Sequence, residues 1–179
     1  LHNLKKFGYT ISEIKKDGFR VRGVINTYRE SGKEKAIEFA DSIKMIYAAL
    51  KGRKYDAVLV VGDRLEAYAA SLASHFLGLP VIHLGGGAVT NGAVDNIYRY
   101  NITNLASLHF PTSGPDHRRL LKVPGINKKN VRFTGSCAVD SIKKFKMNPV
   151  KITDAVPGLD NDFVLMTFHP VTAGNEPID

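Results

Sequence analysis

Asp63 closes the apolar run DAVLVV in the tripeptide Gly62-Asp63-Arg64, at what the pattern makes the carboxyl end of a buried strand. A carboxylate held on a rigid strand end can act as a general base or orient a sugar hydroxyl, with Arg64 beside it as a substrate-binding cation. The same spacing suits Asp63 as the N-cap of a following helix, with Arg64 a surface cation. Asp95 and Arg99 stand four residues apart, so on a helix they share a face. At a crevice they form a second acid/base with its orienting or anion-binding cation; on an open surface they form a minor ion pair. His169 follows the run FVLMTF, again at a strand end, with Thr172 beyond. A histidine there can donate to a phosphate, or it is a loop histidine. Between these groups stand Gly85, Gly86 and Gly87, after the apolar run 80–84. A phosphate or sugar can lie against such backbone without meeting a Cβ; the alternative is a tight turn from strand to helix. The run is neither GxGxxG nor a Walker A loop. His83, on the apolar run itself, reads as a core histidine before it reads as a ligand. There is no Cys/His metal spacing and no GxSxG elbow, so neither a metal nor a cofactor is expected.

These groups need a scaffold that gathers strand ends, and the apolar pattern supplies one. Residues 10–13 can cap a short helical turn, and 18–26 (GFRVRGVIN) predict a strand. Ser31 and Glu34 form a capping box ahead of Ala36, Ile37, Ala40, Ile43, Tyr47 and Leu50, whose 3–4 spacing predicts a helix ended by Gly52. Residues 56–61 read as a central parallel strand, and 65–77 as a helix closed by Gly78 and Pro80. A second strand, 80–84, leads through the glycines to a helix that opens near Asp95. A short strand follows at 108–111, then a helix capped by Thr112 or Ser113, a strand at 131–134 and a helix at 138–146. The stretch 148–162 is rich in Pro, Gly and Asp, and 163–168 restarts a buried strand. Alternating strands and helices predict an α/β fold, a doubly wound, Rossmann-like parallel sheet. Its ligand crevice belongs at the carboxyl ends of the strands.

The 179 residues are long enough for one well-buried domain, or one domain with a piece of another. The division expected is a first domain over 1–150, a linker over 151–162 and the start of a second domain over 163–179. The chain opens with LHNLKKFG, with no Met and no first strand, and closes just after a strand has begun; a partial chain is expected. The composition, 44% hydrophobic and 23% charged, is that of a soluble globular protein. No apolar run approaches the ~20 residues of a membrane span, and the single Cys137 makes the cytoplasm the default compartment. The net charge of +8 suits nucleic acid, an anionic surface or a phosphorylated small molecule. The basic residues are scattered and no aromatic RNA-binding signature or zinc-finger spacing accompanies them, which disfavours nucleic acid.

Six stretches carry a resemblance: FGYTISEIKKDGF, DAVLVVGDRLEAYAAS, LPVIHLGGG, VDNIYRYNITNLASLHFPTS, VRFTGSCAVD and FVLMTFHPVT. In this order and spacing they resemble the hydrolysing UDP-N-acetylglucosamine 2-epimerase family, on its sialic-acid-pathway branch. The resemblance implies a GT-B architecture, with a nucleotide sugar between two Rossmann-like domains, and a homodimer. It implies elimination of UDP with loss of the C2 proton, then addition of water to release an N-acetylmannosamine-type sugar. By position, Asp63 and Asp95 match the carboxylates assigned to proton transfer or hydration, Arg99 an arginine of the motif, and His169 a histidine near the phosphates. Three positions depart from the pattern. Gly85 stands where many members carry an acidic or polar residue, Ala88 where this branch has the glutamate of GGE, and Tyr100 where a histidine follows the arginine. The rival expectations are a GT-B glycosyltransferase and a non-catalytic nucleotide-sugar-binding protein.

Overall fold

Val58, Leu59, Val60 and Val61 have no polar residue among them, and they form the strand β1 (Val58–Val61). In the computed structural model, which describes residues 2–5, 8–26, 35–145, 156, 158–159 and 164–167, β1 pairs in parallel with β2 (Val81–Leu84). That strand in turn pairs in parallel with β3 (Leu108–Phe110), so the order is β1-β2-β3. In register, Val60 faces His83, and His83 faces His109. The predicted strand at 131–134 contributes a single parallel bridge, Val131 to His109, in place of a ladder.

The helices number α1 (Ile11–Lys16), α2 (Lys35–Leu50), α3 (Leu65–Phe76), α4 (Asp95–Leu105), α5 (Gly114–Leu120) and α6 (Cys137–Phe145). The first lies ahead of the sheet, with Thr10 as its N-cap. The Thr10 hydroxyl makes no cap bond; it meets the His2 ring at 2.6 Å. Parallel strands need long crossovers, and α3 and α4 provide them, from β1 to β2 and from β2 to β3. The core sits where they meet the sheet: Val60, Val81 and Ile102 are buried, with Val58, Ala67, Tyr68, Ala70 and Ala106 against them. Small residues on α3 allow this closeness. Ser71 and Ser74 are fully buried and return their hydroxyls to the Ala67 and Ala70 carbonyls at 2.9 and 2.7 Å. Phe39 stacks on Tyr68 at 5.0 Å and Tyr68 on Tyr98 at 6.1 Å, which ties α2, α3 and α4 together.

Residues 18–26 form no strand. Phe19, Val24 and Ile25 are exposed there, and among the described residues no neighbouring strand offers their short apolar pattern a ladder. Of the predicted strand at 163–168, the described part, Val164 to Thr167, is likewise unpaired and exposed. Ser31 and Glu34 of the expected capping box, most of the linker at 151–162, His169 and Thr172 lie outside the described residues. Ser113 does cap α5 as its pattern predicts, accepting from the Asp116 amide.

Candidate functional site

Strand ends, two glycine turns and the first turn of α4 meet at one edge of the sheet. The β1 strand finishes at Gly62, in the left-handed region at φ +74, whose amide donates to the Leu84 carbonyl at 2.8 Å. This turn presents Asp63. The expected alternative, Asp63 as the cap of α3, does not hold: the N-cap is Arg64, and no side chain caps that helix. Instead the Asp63 carboxylate, one-quarter exposed, pairs with the guanidinium of Arg99.

Arg99 is the hub of the site. Its side chain is 7% exposed although its partner comes from a different element 36 residues earlier. Besides Asp63, it donates to the Ala88 carbonyl at 2.9 Å, to Asn96 Oδ1 at 2.8 Å and to Thr90 Oγ1 at 3.5 Å. Burial pulls its pKa down from the ordinary value, opposed by nearby Tyr100 and Asp116, yet a guanidinium keeps its charge. A planar fork with several donors is what lets one side chain hold a carboxylate, a carbonyl and an amide together.

The i,i+4 spacing therefore misassigns the partner of Arg99. Asp95 begins α4 and forms no ion pair with Arg99; among the described residues no hydrogen bond or ion pair engages its carboxylate, which stays half-buried. It is on the same first turn as Asn96, so Asp63 and Asp95 are both carried by elements that Arg99 joins. Arg64 lies outside the cluster: it is 61% exposed and pairs with Glu66 at 3.2 Å. It does border a cavity of about 610 Å³, between Val61, Arg64 and Ala67 on one side and Ile11, Ile14 and Val21 on the other.

The three glycines serve different purposes. A Cβ on Gly86 would lie 2.8 Å from His83 Nδ1, and one on Gly87 would lie 2.5 Å from the Asp116 carbonyl oxygen. At both, protein fills the space a side chain would need, so packing by itself calls for glycine there. At Gly85, with φ +87, the nearest atoms to a Cβ are those of Gly62 at 3.8 Å. Gly62 and Gly85 thus set two bare backbones side by side at the carboxyl ends of β1 and β2.

His83 is the core histidine its run suggests. It is fully buried; Nε2 lies 2.8 Å from the Gly62 carbonyl and Nδ1 3.1 Å from Thr103 Oγ1. The carbonyl can only accept, so Nε2 carries the proton and Nδ1 accepts from the threonine hydroxyl. Burial lowers its pKa to about 4 against the raising effect of the Gly62 carbonyl, so the ring is neutral near pH 7. It locks the glycine turn after β1 onto α4 and stands behind the site.

Sequence reading missed Asn96, Thr90 and Thr103. The available signal was Asn96 in the first turn of α4: asparagine competes with helical backbone for hydrogen bonds, so its presence there points to a loop partner. No group of three or more metal-ligating side chains occurs among the described residues, and no helix among them is long and apolar enough to cross a membrane.

Comparison with known proteins follows the same outline. The family model described as UDP-N-acetylglucosamine 2-epimerase matches residues 1–178. The chain is 29% identical over 169 residues to a hydrolysing UDP-N,N'-diacetylbacillosamine 2-epimerase of Legionella pneumophila, covering 92% of this chain and 44% of that protein. It is 30% identical over 177 residues to a hydrolysing GDP/UDP-N,N'-diacetylbacillosamine 2-epimerase of Campylobacter jejuni, covering 96% and 45%. The chain thus spans about half the length of these curated relatives. Among solved structures, the UDP-GlcNAc 2-epimerase of Neisseria meningitidis bound to UDP-GlcNAc superposes with a TM-score of 0.70 at 23% identity, over 83% of this chain and 42% of that one. The shared fold is a Rossmann-like α/β domain of the GT-B type.

Proposed function

Since the chain belongs to the UDP-N-acetylglucosamine 2-epimerase family, we propose that it forms the first domain of an enzyme that hydrolyses a UDP-HexNAc with inversion at C2. The observation that carries this reading is the Asp63–Arg99 pair beside the bare Gly62 and Gly85 backbones, with Asp95 on the neighbouring helix turn. In the proposed reaction a carboxylate removes the C2 proton as the C1–O bond to UDP breaks, giving a glycal. Water then adds at C1, and a proton returns to C2 from the other face. Asp63, oriented by Arg99, and Asp95, with no ion-pair partner among the described residues, are assigned these proton transfers. Arg64 at the cavity edge and the Gly85 backbone contact the nucleotide sugar, and His169 serves the phosphates. Arg99 acts through Asp63, since both of its terminal nitrogens already donate to protein acceptors. The domain limits 1–150, 151–162 and 163–179, a homodimer and a cytoplasmic location belong to this reading too.

The substrate we favour is UDP-GlcNAc or its N,N'-diacetylbacillosamine counterpart, the latter because the Legionella and Campylobacter relatives are named for it. The test uses the full-length protein with each UDP-sugar in D2O. Free sugar of inverted C2 configuration carrying deuterium at C2, together with UDP, is expected. Recovery of an inverted sugar still attached to UDP would make the enzyme non-hydrolysing. UDP release only in the presence of an acceptor would replace the reading by glycosyl transfer, and unchanged UDP-sugar would end it.

A further inference from the structure

The loop after the three glycines is tied to the site by Arg99, which donates to the Ala88 carbonyl and to Thr90 Oγ1, and by a second side chain, Asn96. Asn96 Oδ1 accepts from the Thr90 amide at 3.0 Å, and Asn96 Nδ2 donates to the Thr90 carbonyl at 2.5 Å. The same Oδ1 accepts from Arg99 at 2.8 Å, and Arg99 holds the Asp63 carboxylate. An asparagine amide here does what a neighbouring strand would do for Thr90: it satisfies both its backbone groups. It does so with a side chain that also fixes the guanidinium. Loop, helix turn and catalytic carboxylate are thereby linked in a single chain of bonds, Thr90–Asn96–Arg99–Asp63.

We propose that Asn96 is a positioning residue, a latch that holds the exposed loop around Thr90 and sets Arg99 in the orientation that presents Asp63. This rests on the reading of Asp63 as a catalytic group, but the latch itself has an independent readout in the Thr90 amide.

The donor–acceptor pattern makes a distinctive test available. Asn96→Ala removes both loop bonds and one acceptor of Arg99. Asn96→Asp at neutral pH keeps an acceptor for the Thr90 amide but turns a lone pair toward the Thr90 carbonyl and adds a carboxylate that competes with Asp63 for Arg99. Protonated aspartic acid, in contrast, reproduces the asparagine pattern, one donor for the carbonyl and one acceptor for the amide and the guanidinium. The charged groups around position 96 are Arg99 on its own helix, Asp63 through Arg99, and Asp95 one residue before; Asp116 acts on Arg99 from α5. The pair of carboxylates at 63 and 95 raises the pKa of an introduced aspartate and Arg99 lowers it, so recovery is expected on the acid side of neutrality, toward the ordinary carboxylate value of about 4.

The experiment measures kcat and KM of the full-length protein for UDP-GlcNAc and its bacillosamine counterpart, and hydrogen exchange of the Thr90 amide, for wild type and both variants from pH 8 to pH 4. Expected are a roughly tenfold to hundredfold lower kcat for Asn96→Ala, with KM changed far less, and faster exchange at Thr90 at every pH. For Asn96→Asp, the ratio of kcat to wild type rises as the pH falls, and Thr90 exchange returns toward wild type in parallel. Wild-type kcat in Asn96→Ala, or an Asn96→Asp ratio independent of pH, overturns the proposal. If the wild type turns over neither sugar, the proposed function fails, and Thr90 exchange still decides the latch: unchanged exchange in both variants refutes it.

Discussion

Asp63 and Asp95 are both candidate carboxylates, but their surroundings predict different behaviour when each is replaced. Asp63 faces a guanidinium that is 7% exposed. Removing one partner of such a pair leaves the other desolvated and uncompensated. Asp63→Asn is therefore expected to lose about 1–3 kcal/mol of stability, with Ala88, Asn96 and Thr90 still satisfying part of Arg99. On the proposed function, the full-length protein carrying it is also expected to lose about 10²–10⁴-fold in kcat. Asp95→Asn is expected to match that loss of activity while the urea midpoint stays within the error of wild type. Stability and turnover measured on the two variants check this; equal destabilisation of both would show that Asp95 has a structural partner. Arg99→Lys keeps the charge and loses the fork, so it should resemble Asp63→Asn and not the wild type. Asp63 and Arg99 were legible as residues with chemistry to offer. Their pairing was not, because a spacing of four on a helix points Arg99 at Asp95, and only the approach of β1 to α4 brings Asp63 within reach.

The turn that follows β2 shows what an element requires beyond its residue types. Three consecutive glycines suggested one cradle, yet each meets a different environment. A methyl at Gly87 would meet the Asp116 backbone oxygen at 2.5 Å with φ at +86, and neither the α5 backbone nor the dihedral yields cheaply. At Gly86 it would meet a side chain, His83, at 2.8 Å, which can shift only by loosening its bonds to Gly62 and Thr103. At Gly85 there is room, and the cost is the left-handed backbone alone, about 1–2 kcal/mol. The expected order of destabilisation is Gly87→Ala, then Gly86→Ala, then Gly85→Ala, with the middle value about 1–3 kcal/mol. Urea unfolding of the three variants checks it, and a Gly85→Ala protein less stable than Gly87→Ala would refute the packing account. Helices α2 to α6 were legible because 3–4 periodicity, glycine stops and, at α5, the Ser113 cap act locally. The strands predicted at 18–26 and 131–134 were not borne out, since a strand exists only by its ladder and apolar residues alone do not provide the partner.

Two consequences belong to the molecule as a whole. The first is pH dependence. His83 is held neutral, its pKa lowered from 6.5 to about 4 by burial, and burial lowers His109 as well. Below pH 6.5 the unfolded chain takes up a proton that folded His83 refuses until about pH 4. The stability it contributes is thus complete above pH 6.5 and lost as the pH falls from 6.5 toward 4. At pH 5 the loss is about 2 kcal/mol. Urea midpoints at pH 7 and pH 5 measure it, and a His83 ring that protonates near its ordinary value in NMR would contradict it. The second is association. Among the described residues β1 lies at an edge of the sheet, not at the centre its apolar run predicts; Leu59 and Val61 on it are 60% and 62% exposed, and Val164, Leu165 and Met166 are more so. An unprotected apolar edge is a template for pairing with another chain. The 179-residue chain by itself is expected to associate with rising concentration, and Leu59→Lys with Val61→Lys to reduce this in light scattering; identical scattering would exclude the β1 edge.

By itself, the sequence determined the α/β alternation, the three parallel strands at their apolar runs, the buried role of His83 and the family, because each depends on residue type and order along the chain. Tertiary structure alone decided which carboxylate Arg99 holds, why Gly86 and Gly87 must be glycine while Gly85 stays open, and that Asn96 ties a loop to the site. Those are contacts between segments far apart in sequence. Their energies come from burial and hydrogen bonding that exist only once β1, the glycine turn and α4 have been brought to the same edge of the sheet.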